Sequence, residues 1–191
     1  ETGAGRKIPV QPYAGDNAFS VWHSTRGLWY SHYGSHFYEF DPNSLSFTFS
    51  GQTPQNWAGA LTEGPDGVIW GILNPDGHLI SFNPDTRTLT DHGIINEETW
   101  VQIPRTIAAD DAGWVYAGTG TAKGQVVGYN IATGEIRKYV PEADRGYGNG
   151  QLFRAIDGNV YASCPGAGWG WHRLSGGEAA PVEERPARAP I

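Results

Sequence analysis

The stretch Arg105–Val140 reads RTIAADDAGWVYAGTGTAKGQVVGYNIATGEIRKYV, and its pattern decides the fold. Thr106-Ile107-Ala108-Ala109 is a short apolar run, Asp110-Asp111-Ala112-Gly113 a turn, and Trp114-Val115-Tyr116-Ala117 a returning strand. A Gly-rich loop leads to Gln125-Val126-Val127-Gly128-Tyr129, and the turn Asn130–Gly134 leads to Glu135-Ile136-Arg137-Lys138-Tyr139. Four short runs bounded by Gly, Asn and Asp, with no helical period, predict an antiparallel meander.

The unit recurs along the chain. The glycine before the second strand stands at Gly27, Gly67, Gly113 and Gly158, spaced 40, 46 and 45 residues apart. Three positions later come Tyr30, Trp70, Tyr116 and Tyr161, each followed by a small residue (Ser31, Gly71, Ala117, Ala162). The third strand supplies Phe40, Phe82, Tyr129 and Leu174. A four-stranded unit repeating every 40–50 residues or so is the signature of β-propeller blades. A β-sandwich with regular turns is the competing reading.

The fold class expected is therefore all-β, a propeller of four-stranded antiparallel blades at about 18–50, 58–93, 105–140 and 151–180. Residues 1–17 read as a lead-in, in which Lys7-Ile8-Pro9-Val10 has the character of an edge strand. Residues 181–191, with Pro186 and Pro190, read as a linker or the start of a further part. A propeller leaves an unpartnered sheet face at each end unless it closes. Closed four-bladed rings of the hemopexin type use a disulfide, which the single Cys164 cannot form. Four blades of a larger propeller is the preferred expectation, completed by further blades or a second chain. Its outer faces would carry Phe19, Trp29, Phe37 and Phe47 at one end and Phe153, Trp169 and Trp171 at the other.

Composition narrows the partners. Thirteen basic against 20 acidic residues give a net charge of −7. That argues against nucleic acid and anionic membrane as partners. No apolar run approaches the length of a membrane span. One cysteine excludes a disulfide framework and a cysteine-based zinc site.

At Asp111–Thr119 and Gly128–Ile136 the chain resembles propellers of the streptogramin-lyase and gluconolactonase-like kind, and it is similar to blades of propeller-fold polysaccharide lyases. The resemblance covers all four repeats and consists of turn and strand punctuation. It implies the fold and carries no catalytic motif onto particular residues.

Within a blade of strands a to d, the a–b and c–d turns lie on one face. The b–c loops and the inter-blade connections lie on the other. The first set is rich in economical turns. The second holds aromatic, His and Arg residues around the expected channel mouth. His32 and His36 flank a loop in the first repeat, and with Tyr147 they are the candidates for proton transfer. Arg105 and Arg145 are the candidates for holding a carboxylate. Trp57, Trp100, Trp169 and His172 are candidate sugar-stacking or contact residues. Trp29, Trp70 and Trp114 lie inside strands and are expected to seal blade junctions.

These residues point to a secreted or periplasmic carbohydrate-active propeller. The reaction expected is lyase chemistry, β-elimination on a uronate-containing poly- or oligosaccharide. Arginine would neutralise the carboxylate while His or Tyr moves protons. The alternative is a non-catalytic propeller binding a glycan or protein through the same face. No metal site is assigned. A lactone-hydrolase reading would bring a divalent metal such as calcium, with Glu63, Glu97, Glu98 and Glu142 as its donors.

Overall fold

The computed structural model describes residues 20–164, 166, 168–185 and 187. The suggested strand at 7–10 and the residue Phe19 lie outside them. Four antiparallel sheets follow one another along the chain, each a meander in strand order. The first contains β1 (Trp22–His23), β2 (Trp29–Tyr33), β3 (His36–Asp41) and β4 (Ser46–Gln52). The second contains β5 (Trp57–Glu63), β6 (Ile69–Asn74), β7 (His78–Asn83) and β8 (Thr88–Ile94).

The third contains β9 (Thr106–Ala109), β10 (Trp114–Thr121), β11 (Gln125–Asn130) and β12 (Ile136–Lys138). A 3₁₀ turn, Glu142–Asp144, precedes β13 (Gly148–Asn149), which pairs with the far end of β10. The fourth sheet contains β14 (Gln151–Arg154), β15 (Val160–Ser163), β16 (His172–Ser175) and β17 (Glu178–Pro181). These are four blades of a β-propeller, with boundaries within a few residues of those read from the repeats. β9 packs between β5 and β14, so the first strands of successive blades line up side by side.

The core lies at the seams between blades. Tyr30 and Phe37 of the first blade meet Leu61, Ile69, Ile80 and Phe82 of the second. Trp70, Ile72 and Leu79 of the second meet Ile107, Val115 and Val127 of the third. Trp114, Tyr116 and Val126 of the third meet Leu152, Val160, Ala162 and Leu174 of the fourth. Strand alternation explains which side each residue takes, since successive side chains point to opposite faces of a sheet.

Three expectations are corrected. Trp29 precedes Tyr30, so it points away from the seam; it is 40% exposed and stacks on His23 at 4.7 Å. Trp70 and Trp114 do seal seams. Phe37 and Trp169, expected on outer faces, are buried at the first and third seams.

Each seam carries a different polar tie. At the first, buried Glu39 accepts from the Tyr30 hydroxyl (3.0 Å), the Thr48 hydroxyl (2.7 Å) and Arg87 of the next blade (2.9 Å). At the second, His92 stacks on Trp70 at 5.0 Å and lies between Ser81 (2.8 Å) and Tyr129 of the third blade (3.1 Å). At the third, Asp110 accepts from the Tyr116 hydroxyl and from the Gly176 N–H of the fourth blade, both at 2.8 Å.

Candidate functional site

The inter-blade connections fold down onto the b–c turns and create two corners on that face, which meet where Asn74 touches both Trp57 and Pro104. The first lies over blades one and two. His32 is not on a loop there. β2 runs through it to Tyr33, and its side chain is fully buried. The Thr53 hydroxyl gives its proton to the Gln55 carbonyl (3.1 Å), so it accepts from His32 Nε2 (2.6 Å). That leaves Nδ1 as the lone-pair nitrogen, buried and without a partner. Burial, with a lesser contribution from His36, pushes the imidazole down to about 4.

This histidine sets a pH response. Its folded value lies below the ordinary 6.5 or so, hence the unfolded chain binds the proton more readily. Its contribution is complete above pH ~6.5 and falls as the pH drops towards ~4, by up to about 3 kcal/mol. Urea unfolding midpoints between pH 7 and pH 4 are expected to fall more steeply for the native chain than for His32→Gln. Parallel slopes would contradict the assignment.

His36 opens β3 and is half-buried. Its Nδ1–H donates to the Gly34 carbonyl (2.9 Å), which leaves Nε2 as the acceptor atom. Trp57 opens β5 and is 45% exposed. With the Asn74 amide oxygen turned to accept, the Trp57 indole N–H (2.7 Å) and the Gly59 N–H (3.2 Å) both bind it.

The second corner lies over blades three and four, and the other six candidates gather there. The connection 141–150 is pinned to its neighbours. Gly124 N–H donates to Gly146 O and Gly168 N–H to Asp144 O, each at 2.8 Å. Asn149 donates to Ile103 O at 2.5 Å. Gly118 of β10 permits the close approach, since a Cβ there would stand 2.0 Å from Gly150 O.

Arg145 does not offer a free guanidinium. Its side chain is 6% exposed and pairs with Glu98 (2.5 Å) and Glu142 (2.8 Å). It also donates to the Gly124 and Lys123 carbonyls and lies over the Trp100 ring at 5.8 Å. Its charge is already matched, so its work is to fasten the connections together. Tyr147, two residues on, is 83% exposed. Trp169 is buried, and His172 stacks flat on it with centroids 4.0 Å apart at 6°. His172 Nδ1–H donates to the Gly170 carbonyl (3.0 Å), leaving Nε2 as its acceptor atom.

Beside this corner a cleft of about 210 Å³ opens between the first strands of blades three and four. Arg105, Asn149, Gln151, Phe153, Trp171 and Arg185 are among the residues that line it, and Arg185 lies against the Phe153 and Trp171 rings. Arg105 is exposed and forms no ion pair with a described residue. Arg26, Arg87, Arg137, Arg145 and Arg154 all do. Arg185 and Gln151 were not legible as site residues, because nothing local in their sequence marks them. They reach the cleft through the placement of β14 and of the segment after β17.

The four proposed metal-donor carboxylates do not gather. Glu63 accepts from Thr25 at the opposite face, while Glu98 and Glu142 are neutralised by Arg145. Among the described residues no three His, Cys, Asp or Glu side chains converge as a metal site. Cys164 is buried, and burial pushes its thiol up, consistent with a packing role. No helix among the described residues is long and apolar enough to cross a membrane.

The sequence matches no protein-family model and no curated protein. Among solved structures the chain is similar to virginiamycin B lyase from Staphylococcus aureus, at 14% identity and a TM-score of 0.61. The match covers 93% of this chain and 59% of that one. A catalytically inactive histidine-to-alanine variant of that lyase with quinupristin superposes at a TM-score of 0.66, again at 14% identity and with coverages of 93% and 59%. The extracellular domain of a one-component system from B. thetaiotaomicron is similar at 16% identity and a TM-score of 0.60, over 88% of this chain and 25% of that one. At such identities the likeness is one of fold. The chain spans somewhat over half the length of the lyases.

Proposed function

We propose that this chain is part of a secreted or periplasmic carbohydrate-active propeller. Its ligand is an acidic, uronate-containing poly- or oligosaccharide, held at the corner over blades three and four. Further blades or a second chain complete the ring. The observation that carries the proposal is Arg105: a guanidinium with no ion pair among the described residues, in an aromatic-walled cleft of a chain whose net charge is −7. An arginine fork fits a carboxylate bidentately, and ring faces fit the apolar side of a sugar. The likeness to lyase propellers adds support for elimination chemistry.

In that reaction Arg105 would hold the uronate carboxylate and stabilise the charge that develops when the α-proton leaves. A base takes that proton, the C–O bond at the β-carbon breaks, and the departing oxygen receives a proton. Exposed Tyr147 and the Nε2 of His172 stand at this corner and suit those two transfers. His32 has no such role, because it is sealed beneath Thr53, and His36 belongs to the other corner.

Binding without turnover is the second reading. It is favoured by the cleft lining, which includes no His, Tyr, Asp or Glu. Incubation with a panel of uronate polysaccharides separates the two by the ultraviolet absorbance of unsaturated products. Absorbance that grows with the native chain and is lost in Tyr147→Phe supports elimination. Retention on immobilised polygalacturonate without absorbance supports binding. Neither signal on any acidic glycan would overturn the proposal.

A further inference from the structure

The segment after β17 is not the linker its prolines suggest, at least through Arg185. Val182 N–H donates to the Trp171 carbonyl at 2.9 Å. Its side chain packs against the Phe153, Ala155 and Tyr161 cluster. Three residues on, the Arg185 guanidinium lies 5.2 Å from the Phe153 ring centroid and 5.4 Å from that of Trp171. The two rings meet edge-on, 5.7 Å apart at 64°, so the guanidinium sits in the notch between them. Stacking holds the side chain while leaving its charge unmatched, for Arg185 forms no ion pair with a described residue. The same cleft has Arg105 along its wall.

We propose that Arg185 is a specificity-determining residue of this cleft, acting with Arg105 to select sugars that carry two anionic groups over those that carry one. The inference rests on the acidic-glycan reading of the cleft and extends it to the charge pattern of the ligand. Arg105 takes the first carboxylate. Arg185, fixed at the aromatic end, takes the second on the neighbouring ring. One planar fork binds one carboxylate well, and a second carboxylate left without a cation would be desolvated for little return.

The test is calorimetric titration with galacturonate, which carries one carboxylate, and with digalacturonate, which carries two. Native protein is expected to prefer digalacturonate by about tenfold or more. Arg185→Gln should weaken digalacturonate binding by about tenfold and leave galacturonate within about twofold, which erases the preference. Arg105→Gln should weaken both. Arg173→Gln, an exposed arginine of β16 outside the cleft lining, should change neither. Melting curves of each variant report whether the blade remains folded, and Arg185→Lys, which keeps the charge, should restore part of the preference. Unchanged binding in Arg185→Gln, or an equal loss for both sugars, overturns this inference and leaves the acidic-glycan reading standing. Native protein that binds neither sugar overturns both.

Discussion

Replacing Asp110 by alanine is expected to destabilise the protein by about 3 kcal/mol, one of the largest effects of any single substitution outside the apolar core. Asp110 is 1% exposed, and its carboxylate accepts four hydrogen bonds. One oxygen takes the Ala112 and Trp114 N–H groups, both at 2.9 Å. The other takes the Tyr116 hydroxyl and the Gly176 N–H, both at 2.8 Å. Alanine leaves these donors facing one another in a site with little access to water, and a buried unsatisfied donor costs about 1–3 kcal/mol.

The loss is also topological, because Gly176 belongs to the fourth blade and Asp110 to the third. For a chain of this size the melting midpoint should fall by roughly 6–12 °C. Tyr116→Phe should cost less, since Asp110 keeps its three backbone donors. A thermal melt of the two variants checks the order. An Asp110→Ala protein as stable as the native chain would show that the third seam is held by its apolar contacts alone.

The contrast between Asp110 and its repeat equivalents shows what the sequence makes legible. Turn glycines and the aromatic residue three positions later recur because each blade needs the same hairpin and the same seam filler. Gly27, Gly67, Gly113 and Gly158 all adopt positive φ, and Tyr30, Trp70 and Tyr116 all lie buried at seams. Those requirements are local, so the blade count and boundaries can be read from one chain. The seam ties are not repeated. Glu39 with Arg87, His92 with Tyr129 and Asp110 with Gly176 join residues 48, 37 and 66 positions apart. No local pattern announces such pairs.

The site shows the same division. Reading the connections as the face that bears chemistry singled out Arg105 and Tyr147, which the fold leaves exposed, and Trp169, which it buries. Three placements went differently, each for a physical reason. His32 lies in a strand that runs two residues further than its loop-like composition suggests. Arg145 is occupied by Glu98, a residue 47 positions away. Arg185 follows a strand whose Gly-rich and Pro-rich surroundings resemble a linker, and only packing on Phe153 and Trp171 reveals its place.

The second large effect concerns the ligand. Arg105→Gln should weaken binding of an acidic oligosaccharide by about 10- to 100-fold, since a charge-assisted pair to a carboxylate is worth about 1.5–3 kcal/mol. Stability should change little, because Arg105 is exposed and its backbone N–H, which donates to Gly118 O at 3.3 Å, is untouched. The affinity of the native protein should fall as salt rises, and that of the variant should respond less. Trp57→Ala and His36→Ala, at the other corner, should leave binding as it is. The direct measurement is a calorimetric titration of oligogalacturonate into the native chain, Arg105→Gln and Trp57→Ala. Only Arg105→Gln should lose affinity; equal binding by the native chain and Arg105→Gln, or a loss confined to Trp57→Ala, would contradict a carboxylate held by Arg105.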